Sequence, residues 1–188
     1  MRILTKEEFL LEKIQLFEEI LDGAVFIYPT DTIYGIGCNA ADEQAVRRLR
    51  ELKGRSTNPF SVIAPSTEWI MGNCILNEKQ EEYLELLPGP YTLILKTKNH
   101  PVAKSVNQGL NTLGVRIPDH WISEAVKELG VPIITTSANK AGNEYMTSLE
   151  DLDESIKNNV RFIVYEGEKE GKPSKIIDLT DKVKVIKR

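Results

Sequence analysis

The stretch YPTDTIYGIG, residues 28–37, decides the fold and the position of the polar chemistry. It follows an apolar run, residues 24–28, whose composition is typical of a buried strand. Pro29 cannot donate to a sheet ladder, so we expect the strand to end there and a turn to expose the next three side chains, Thr30, Asp31 and Thr32. Such a turn could bind a polar ligand, although a helix cap or turn without a ligand explains the same residues.

Helices and strands alternate on both sides of this stretch. A capping box at Thr5 and Glu8 predicts a first helix that runs to residue 22. Asp42 is placed to cap a second helix that ends near Gly54, with an apolar face and with its arginines directed away from the core. Further strands are predicted at 61–64, 91–96, 113–117, 132–136, 161–165, 176–179 and 183–186, and further helices at 68–71, 78–86, 121–129 and 149–157. The charged segment 166–173 is predicted to be a flexible loop.

This order predicts an α/β (α+β mixed) fold in one domain, residues 1–188. Interleaved strands and helices indicate helix-covered layers, whereas the short spacing of the last two strands indicates an antiparallel pair. We therefore expect a twisted, mixed parallel and antiparallel sheet flanked by helices. A chain of 188 residues is long enough to bury one such core.

Composition excludes several classes of function. The formal net charge of -4 argues against a protein that binds nucleic acid through bulk charge. Cys38 and Cys74 have no CxxC partner, and His100 and His120 lack a zinc-like spacing, so no protein metal site is expected. The N-terminus lacks the apolar core of a signal peptide, and no apolar run approaches the roughly 18 residues of a membrane helix. A cytoplasmic location is expected.

A basic loop follows the second predicted helix. Lys53 and Arg55 flank Gly54, and cations at a helix end are commonly explained by the helix dipole alone. However, hydroxyl and amide side chains follow at once in the segment 56–58. Two cations beside such groups could bind a triphosphate, although neither GxxxxGK[ST] nor GxGxxG is present.

Three later clusters also carry polar groups at strand ends. In LNTLGVRIPDH, Thr112 and Arg116 lie on one face of a strand, and an arginine there needs an anion or a carboxylate partner, for which an edge-strand ion pair is the alternative. PIITTSANKAG ends a strand in hydroxyl and amide groups that include Ser137 and Asn139, and a polar turn is again the alternative. KPSKIIDL brings Ser174 to the start of a late strand.

Taken in this order, the motifs resemble the YrdC-like family of threonylcarbamoyl-AMP synthases in its single-domain form. The resemblance runs from Tyr28 to Leu179 and rests on YPTDTIYGIG, ELKGRSTNPFSV, LPGPYTLIL, TLGVRIPDH, TTSANKAG and PSKIIDL. It implies a twisted mixed sheet around a concave pocket. It also implies an L-threonylcarbamoyladenylate synthase, a nucleotidyltransferase that converts L-threonine, bicarbonate and ATP, with Mg²⁺, into threonylcarbamoyl-AMP and pyrophosphate. The product would pass to a downstream threonylcarbamoyl transferase machinery that modifies tRNA.

The resemblance also assigns roles to particular residues. It implies threonine contacts at Thr32, Arg116, Ser137 and Ser174. It implies ATP contacts at Lys53, Arg55, Asn58, Thr112, Asn139, Thr147 and Arg188, with Lys53 and Arg55 as the catalytic pair. Related sequences often carry a histidine after the NP dipeptide, where this chain has Ile63 and Ala64, and a serine where it has Ala141.

Two alternatives remain open at the level of sequence. The first is an RNA-binding module that contacts tRNA or double-stranded RNA, against which the acidic charge weighs. The second is a YciO-like paralogue that keeps the fold without synthase activity.

Overall fold

The computed structural model describes residues 1–186 and contains eleven strands and eight α-helices in that range. The strands are β1 (Arg2–Leu4), β2 (Phe26–Tyr28), β3 (Gly35–Gly37), β4 (Ser61–Ile63), β5 (Cys74–Ile75), β6 (Tyr91–Thr97), β7 (Thr112–Arg116), β8 (Ile133–Ser137), β9 (Phe162–Val164), β10 (Lys175–Asp178) and β11 (Lys184–Ile186). The helices are α1 (Lys6–Leu11), α2 (Lys13–Leu21), α3 (Glu43–Lys53), α4 (Thr67–Asn73), α5 (Glu78–Glu81), α6 (Lys104–Asn107), α7 (Ile122–Leu129) and α8 (Glu154–Lys157), with a 3-10 helix at Glu82–Leu86.

The strands form one mixed sheet, as the sequence predicts. Its order is β1-β9-β2-β3-β8-β4-β7-β6-β10-β11, and β5 pairs with β6 outside this path. The pairs β1–β9, β9–β2, β4–β7 and β6–β10 are parallel, and the remaining pairs are antiparallel. Helices flank the sheet and contribute to two buried clusters, one around Leu49 of α3 and one around Phe9 of α1. Within residues 1–186, no helix is long and apolar enough to cross a membrane.

Several elements differ from the sequence expectation. Sequence analysis did not predict the strands β1, β3 and β5 or the helix α6. Each has only two to four residues, and β3 consists of two glycines and one isoleucine. The first helix is broken at Glu12, whose carboxylate accepts from Arg2 Nη1 at 2.7 Å. The predicted helix 149–157 is limited to α8, since the Asp153 side chain caps it by accepting from the amides of residues 155 and 156.

The two glycines of β3 bring the opening stretch against β8. A Cβ on Gly37 would lie 2.0 Å from the Ile134 carbonyl oxygen, and one on Gly35 would lie 3.0 Å from the ring of Tyr28. The side chain of Tyr28 in β2 extends past β3, and its hydroxyl donates to the Ile134 carbonyl of β8 at 2.7 Å. The glycines therefore allow a close approach that a side chain would block, and the turn between β2 and β3 lies beside the end of β8.

Candidate active site

The first cavity, called the inner cavity below, lies where polar strand ends and turns converge. Its walls come from the turn after β2, from β3, β4, β6, β7 and β8, and from the loop that leads into β10. The lining residues are Thr30, Thr32, Ile33, Tyr34, Gly35, Ser61, Thr92, Arg116, Thr135, Thr136, Ser137, Pro173 and Ser174. All four predicted threonine contacts are among them. Thr30 and Thr32 are only 2% and 7% exposed, so the expectation of an exposed turn was wrong.

Hydroxyl groups of the inner cavity are linked to one another and to Arg116. The Thr32 hydroxyl lies 2.9 Å from that of Thr30 and accepts from Arg116 Nη1 at 3.3 Å. On another wall, the hydroxyls of Thr92 and Ser174 are 2.8 Å apart. This cavity can therefore offer a small polar ligand both donors and acceptors, held in place by side chains that are themselves buried.

The carboxylate partner of Arg116 is Asp31. Its Oδ1 accepts from Arg116 Nη2 at 2.5 Å, and its Oδ2 accepts from the Asp119 amide at 3.1 Å. The two side chains of this ion pair are 5% and 10% exposed. Sequence reasoning required an anion or a carboxylate here but did not identify Asp31 as a site residue, because 85 positions separate it from Arg116.

A second cavity of about 520 Å³, the outer cavity, adjoins the inner one. The two share part of their walls, namely Ser61, Thr135, Thr136, Ser137 and Pro173. Five predicted ATP contacts also line the outer cavity: Lys53, Arg55, Asn58, Thr112 and Asn139. Because the two cavities adjoin and share walls, they are together called the cleft below, and the outer cavity is its basic end.

Lys53 is buried at the C-terminus of α3, with 2% of its surface exposed. Its Nζ donates to the carbonyl oxygens of Ser137 at 2.6 Å and of Asn139 at 2.5 Å. Burial, and secondarily the charge of Arg55, lowers the pKa of Lys53 to about 7, while the two carbonyl acceptors favour the charged form. The lysine thus fixes the end of β8 and places a titratable cation in the wall of the outer cavity.

Two arginines hold the loop that follows α3: Arg50 within the helix and Arg55 just after it. Arg55 donates to the Pro59 carbonyl at 2.7 Å and to the Thr136 hydroxyl at 3.2 Å. Arg50, which sequence analysis directed away from the core, is only 7% exposed. It donates to four carbonyl oxygens, those of Arg55, Asn58, Ser105 and Val106. The periodicity of α3 could not reveal this role, because the acceptors lie outside that helix, in α6 and in the loop after α3.

We expect Arg50→Lys to destabilise the protein, since an ammonium group cannot reproduce a fork of donors to four carbonyls. Leaving buried acceptors unsatisfied should lower the free energy of unfolding by about 2 kcal/mol or more. Urea unfolding measures this change. Arg47→Lys on the same helix is the control, because Arg47 is exposed and pairs only with Glu43 among the described residues. Equal unfolding midpoints for the two variants would contradict the role of Arg50.

The segment 166–174, called the covering segment, is a loop, as predicted for 166–173, and hydrogen bonds attach it to the rest of the protein beside the inner cavity. The Tyr34 hydroxyl donates to the Gly167 carbonyl at 2.6 Å, and the Tyr145 hydroxyl donates to the Gly171 carbonyl at 3.2 Å. The Glu166 carboxylate accepts from the Trp121 indole. A Cβ on Gly171 would lie 1.7 Å from the Thr32 carbonyl oxygen, so the two backbones are in direct contact.

One predicted site residue, Thr147, lies outside the lining of both cavities. Its hydroxyl donates to Asp151 Oδ2 at 2.5 Å. Arg188 lies outside the described residues. Ile63 and Ala64 are buried in the two hydrophobic clusters. The lining of the inner cavity also includes Ser61 and Thr92, which sequence analysis did not name as site residues, although a threonine within the apolar strand β6 was a usable signal.

Among residues 1–186, no group of three or more His, Cys, Asp or Glu side chains is arranged to bind a metal ion. The two cysteine thiols are buried and line neither cavity. Burial raises the pKa of the Cys38 thiol, and it raises that of Cys74 to about 11. The cleft therefore offers hydrogen bonds and positive charge, and neither cysteine serves as its nucleophile.

Comparisons with known proteins identify the family and the fold of the chain. The family model named Sua5/YciO/YrdC, described as "Telomere recombination", matches residues 18–188. A putative threonylcarbamoyl-AMP synthase of Methanocaldococcus jannaschii is 38% identical over 173 residues, covering 88% of this chain and 79% of that protein. Pyrococcus abyssi Sua5 complexed with L-threonine superimposes with a TM-score of 0.84 at 32% identity, covering 95% of this chain and 54% of that one.

Escherichia coli YciO superimposes equally well, with a TM-score of 0.84 at 26% identity, covering 100% of this chain and 93% of that one. The chain spans about half the length of the Pyrococcus abyssi and Bacillus subtilis synthases, 51% and 50% respectively. From the family match, the shared architecture and the identity to these relatives, the chain belongs to the Sua5/YciO/YrdC family.

Proposed function

We propose that this protein is an L-threonylcarbamoyladenylate synthase that uses L-threonine, bicarbonate and ATP. One observation carries the proposal. A hydroxyl-lined inner cavity that contains Arg116 shares five lining residues with a larger outer cavity that contains Lys53 and Arg55. An amino acid in the first would lie beside the phosphates of a nucleotide in the second. Relatives at 37% and 33% identity carry the name of this activity, which supports the proposal.

The reaction would join two steps in this cleft. The threonine amine attacks the carbon of bicarbonate, a C–N bond forms, and water leaves to give a carbamate. A carbamate oxygen then attacks the α-phosphorus of ATP. A new P–O bond forms as the bond to the oxygen bridging the α- and β-phosphorus breaks, and pyrophosphate departs. We assign no covalent role to a side chain, so catalysis would depend on positioning and on charge stabilisation by Lys53 and Arg55.

Magnesium would enter this scheme as part of the substrate. A triphosphate carries its own oxygen ligands for Mg²⁺, and this ion commonly binds through substrate phosphates with few protein ligands. The absence of an acidic cluster among the described residues fits this mode of binding. Lys53 and Arg55 would neutralise the remaining negative charge of the phosphates.

Pyrophosphate release tests the proposal. We expect release to require L-threonine, bicarbonate and Mg-ATP together, and Arg55→Ala to lower its rate by about 100-fold. Arg47→Ala, which removes an exposed arginine from α3 outside both cavities, is the matched control and should leave the rate unchanged. Equal rates in both variants would contradict the assignment of the outer cavity to ATP.

The match to YciO along nearly its whole length supports a second candidate, a protein with this fold and no synthase activity. Thermal melting helps to separate the possibilities, because a ligand that binds only the native state raises the midpoint. Stabilisation by threonine and ATP with no pyrophosphate release would favour the YciO-like candidate. Stabilisation by tRNA or double-stranded RNA alone would favour an RNA-binding module.

The covering segment gives a further prediction. Gly171→Ala should weaken binding of L-threonine by about tenfold or more, because the new Cβ forces the segment away from Thr32 at the wall of the inner cavity. Calorimetric titration with L-threonine measures the dissociation constant. Gly72→Ala in α4 is the control, since a Cβ there meets no atom within 4 Å. Unchanged affinity in Gly171→Ala would show that the segment does not shape the inner cavity.

A further inference from the structure

The two ends of the cleft differ in charge. Among residues 1–186, Arg116 is the one charged side chain that lines the inner cavity, and Lys53 and Arg55 are the two that line the outer cavity. No acidic side chain in the described part of the chain lines either cavity. Judged by its lining alone, the whole cleft would attract anions, and a phosphate group could enter either end.

Asp31 alters the charge of the inner end of the cleft, although its side chain does not line the inner cavity. Its carboxylate lies 2.5 Å from Arg116 Nη2, and the pair is almost fully buried. At such a separation and burial, the opposite charges largely cancel for a ligand on the far side of the guanidinium. The inner end is thus close to neutral, while Arg55, and Lys53 in its charged form, keep the outer end positive.

The same carboxylate also fixes the orientation of Arg116. One oxygen accepts from Arg116 and the other from the Asp119 amide, so the turn after β2 and the turn after β7 are joined through Asp31. With Nη2 held in this way, Nη1 is directed to the Thr32 hydroxyl at 3.3 Å. The orientation of the planar guanidinium therefore depends on both of these partners, Asp31 and Thr32, remaining in place.

We infer that Asp31 is a positioning and specificity-determining residue that keeps the inner cavity electrically neutral, so that it admits a zwitterionic amino acid and excludes phosphate. That the amino acid is threonine rests on the proposed function. The selection against phosphate rests only on the pairing of Asp31 with Arg116. Asp31 acts through Arg116 and would not itself contact the ligand. Its effect is to direct the phosphates of the nucleotide to the outer cavity.

Equilibrium titrations with inorganic phosphate and with L-threonine, each without ATP, test this inference. Asp31→Asn keeps the size of the side chain and removes its charge. We expect this variant to bind phosphate at least about tenfold more tightly than the wild type, and threonine more weakly, because Arg116 is neither neutralised nor oriented. The gain should vanish in Asp31→Asn/Arg116→Gln, which separates the inner cavity from phosphate binding at Lys53 and Arg55. Asp22→Asn, an exposed carboxylate outside both cavities, is the matched control.

Phosphate affinity that is unchanged in Asp31→Asn, or a gain that persists in the double variant, would overturn the inference. If Asp31→Asn does not fold, Asp31→Glu keeps the charge but displaces it, and should still exclude phosphate while binding threonine more weakly. Admission of phosphate by Asp31→Glu would also overturn the inference. If the wild type does not bind threonine but Asp31→Asn gains phosphate binding that depends on Arg116, charge selection stands and the proposed substrate fails.

Discussion

Replacing Arg116 with alanine is expected to cause the largest loss of both stability and threonine binding. The substitution leaves the Asp31 carboxylate buried without the guanidinium 2.5 Å away that pairs with it. Removing one partner of a buried ion pair commonly costs about 3–5 kcal/mol of unfolding free energy. Under the proposed function, the substitution would also remove a donor and disturb the Thr32 hydroxyl in the inner cavity, for which we expect a fall in threonine affinity of about 100-fold or more.

Chemical unfolding and threonine titration measure the two effects of Arg116→Ala. Arg161→Ala is a suitable control, because Arg161 pairs with Glu19 at 2.7 Å but its side chain is 65% exposed. An exposed ion pair of this kind contributes about 0–1 kcal/mol. If Arg116→Ala is as stable as Arg161→Ala and binds threonine normally, then Arg116 does not organise the inner cavity.

The second large effect is expected at Lys53. Lys53→Ala removes the donor that holds the carbonyl oxygens of Ser137 and Asn139, and it removes a cation from the wall of the outer cavity. We expect the rate of pyrophosphate release to fall by about 100- to 1,000-fold, the range seen when a preorganised donor to a transition state is lost. A rate within a factor of a few of the wild type would rule out a role for Lys53 in the reaction.

The lowered pKa of Lys53 adds a dependence on pH. Because the pKa is about 7 in the folded protein and 10.5 as the reference value, the unfolded chain binds more protons between these limits. The contribution of Lys53 to the free energy of unfolding therefore rises with pH from about 7 to 10.5. Over the same range, the positive charge that Lys53 can offer to ATP falls. We expect the KM for ATP to rise between pH 7 and 9 in the wild type and to stay flat in Lys53→Arg, whose guanidinium remains charged. A flat wild-type profile would contradict the shifted pKa.

Much of the cleft could be predicted because its side chains follow apolar strands in the sequence. Ser137 ends β8, Ser174 directly precedes β10, and Thr32 lies in the turn between β2 and β3; the structure brings all three together with Arg116. The resemblance added the association of these residues with threonine and of the basic loop with ATP. The hydroxyl of Thr147 bonds to Asp151 and the residue lines neither cavity, so its assignment to ATP stays a prediction.

The features that sequence analysis missed depend on long-range contacts. The pairing of Asp31 with Arg116 joins two turns that are far apart in the chain. The burial of Arg50 requires the Ser105 carbonyl of α6, which the periodicity of α3 cannot show. The strand β3 was missed because Gly35 and Gly37 have low strand propensity, yet their lack of side chains is what allows β2 and β8 to approach.

Mass detection of the product tests the central claim most directly, namely that one cleft holds an amino acid beside the phosphates of ATP. The protein is incubated with L-threonine, Mg-ATP and either ordinary or ¹³C-labelled bicarbonate. The account predicts threonylcarbamoyl-AMP, heavier by one mass unit with labelled bicarbonate and absent when any substrate is omitted. A threonine adenylate without the bicarbonate carbon, or no adenylated product from protein that binds both threonine and ATP, would contradict it.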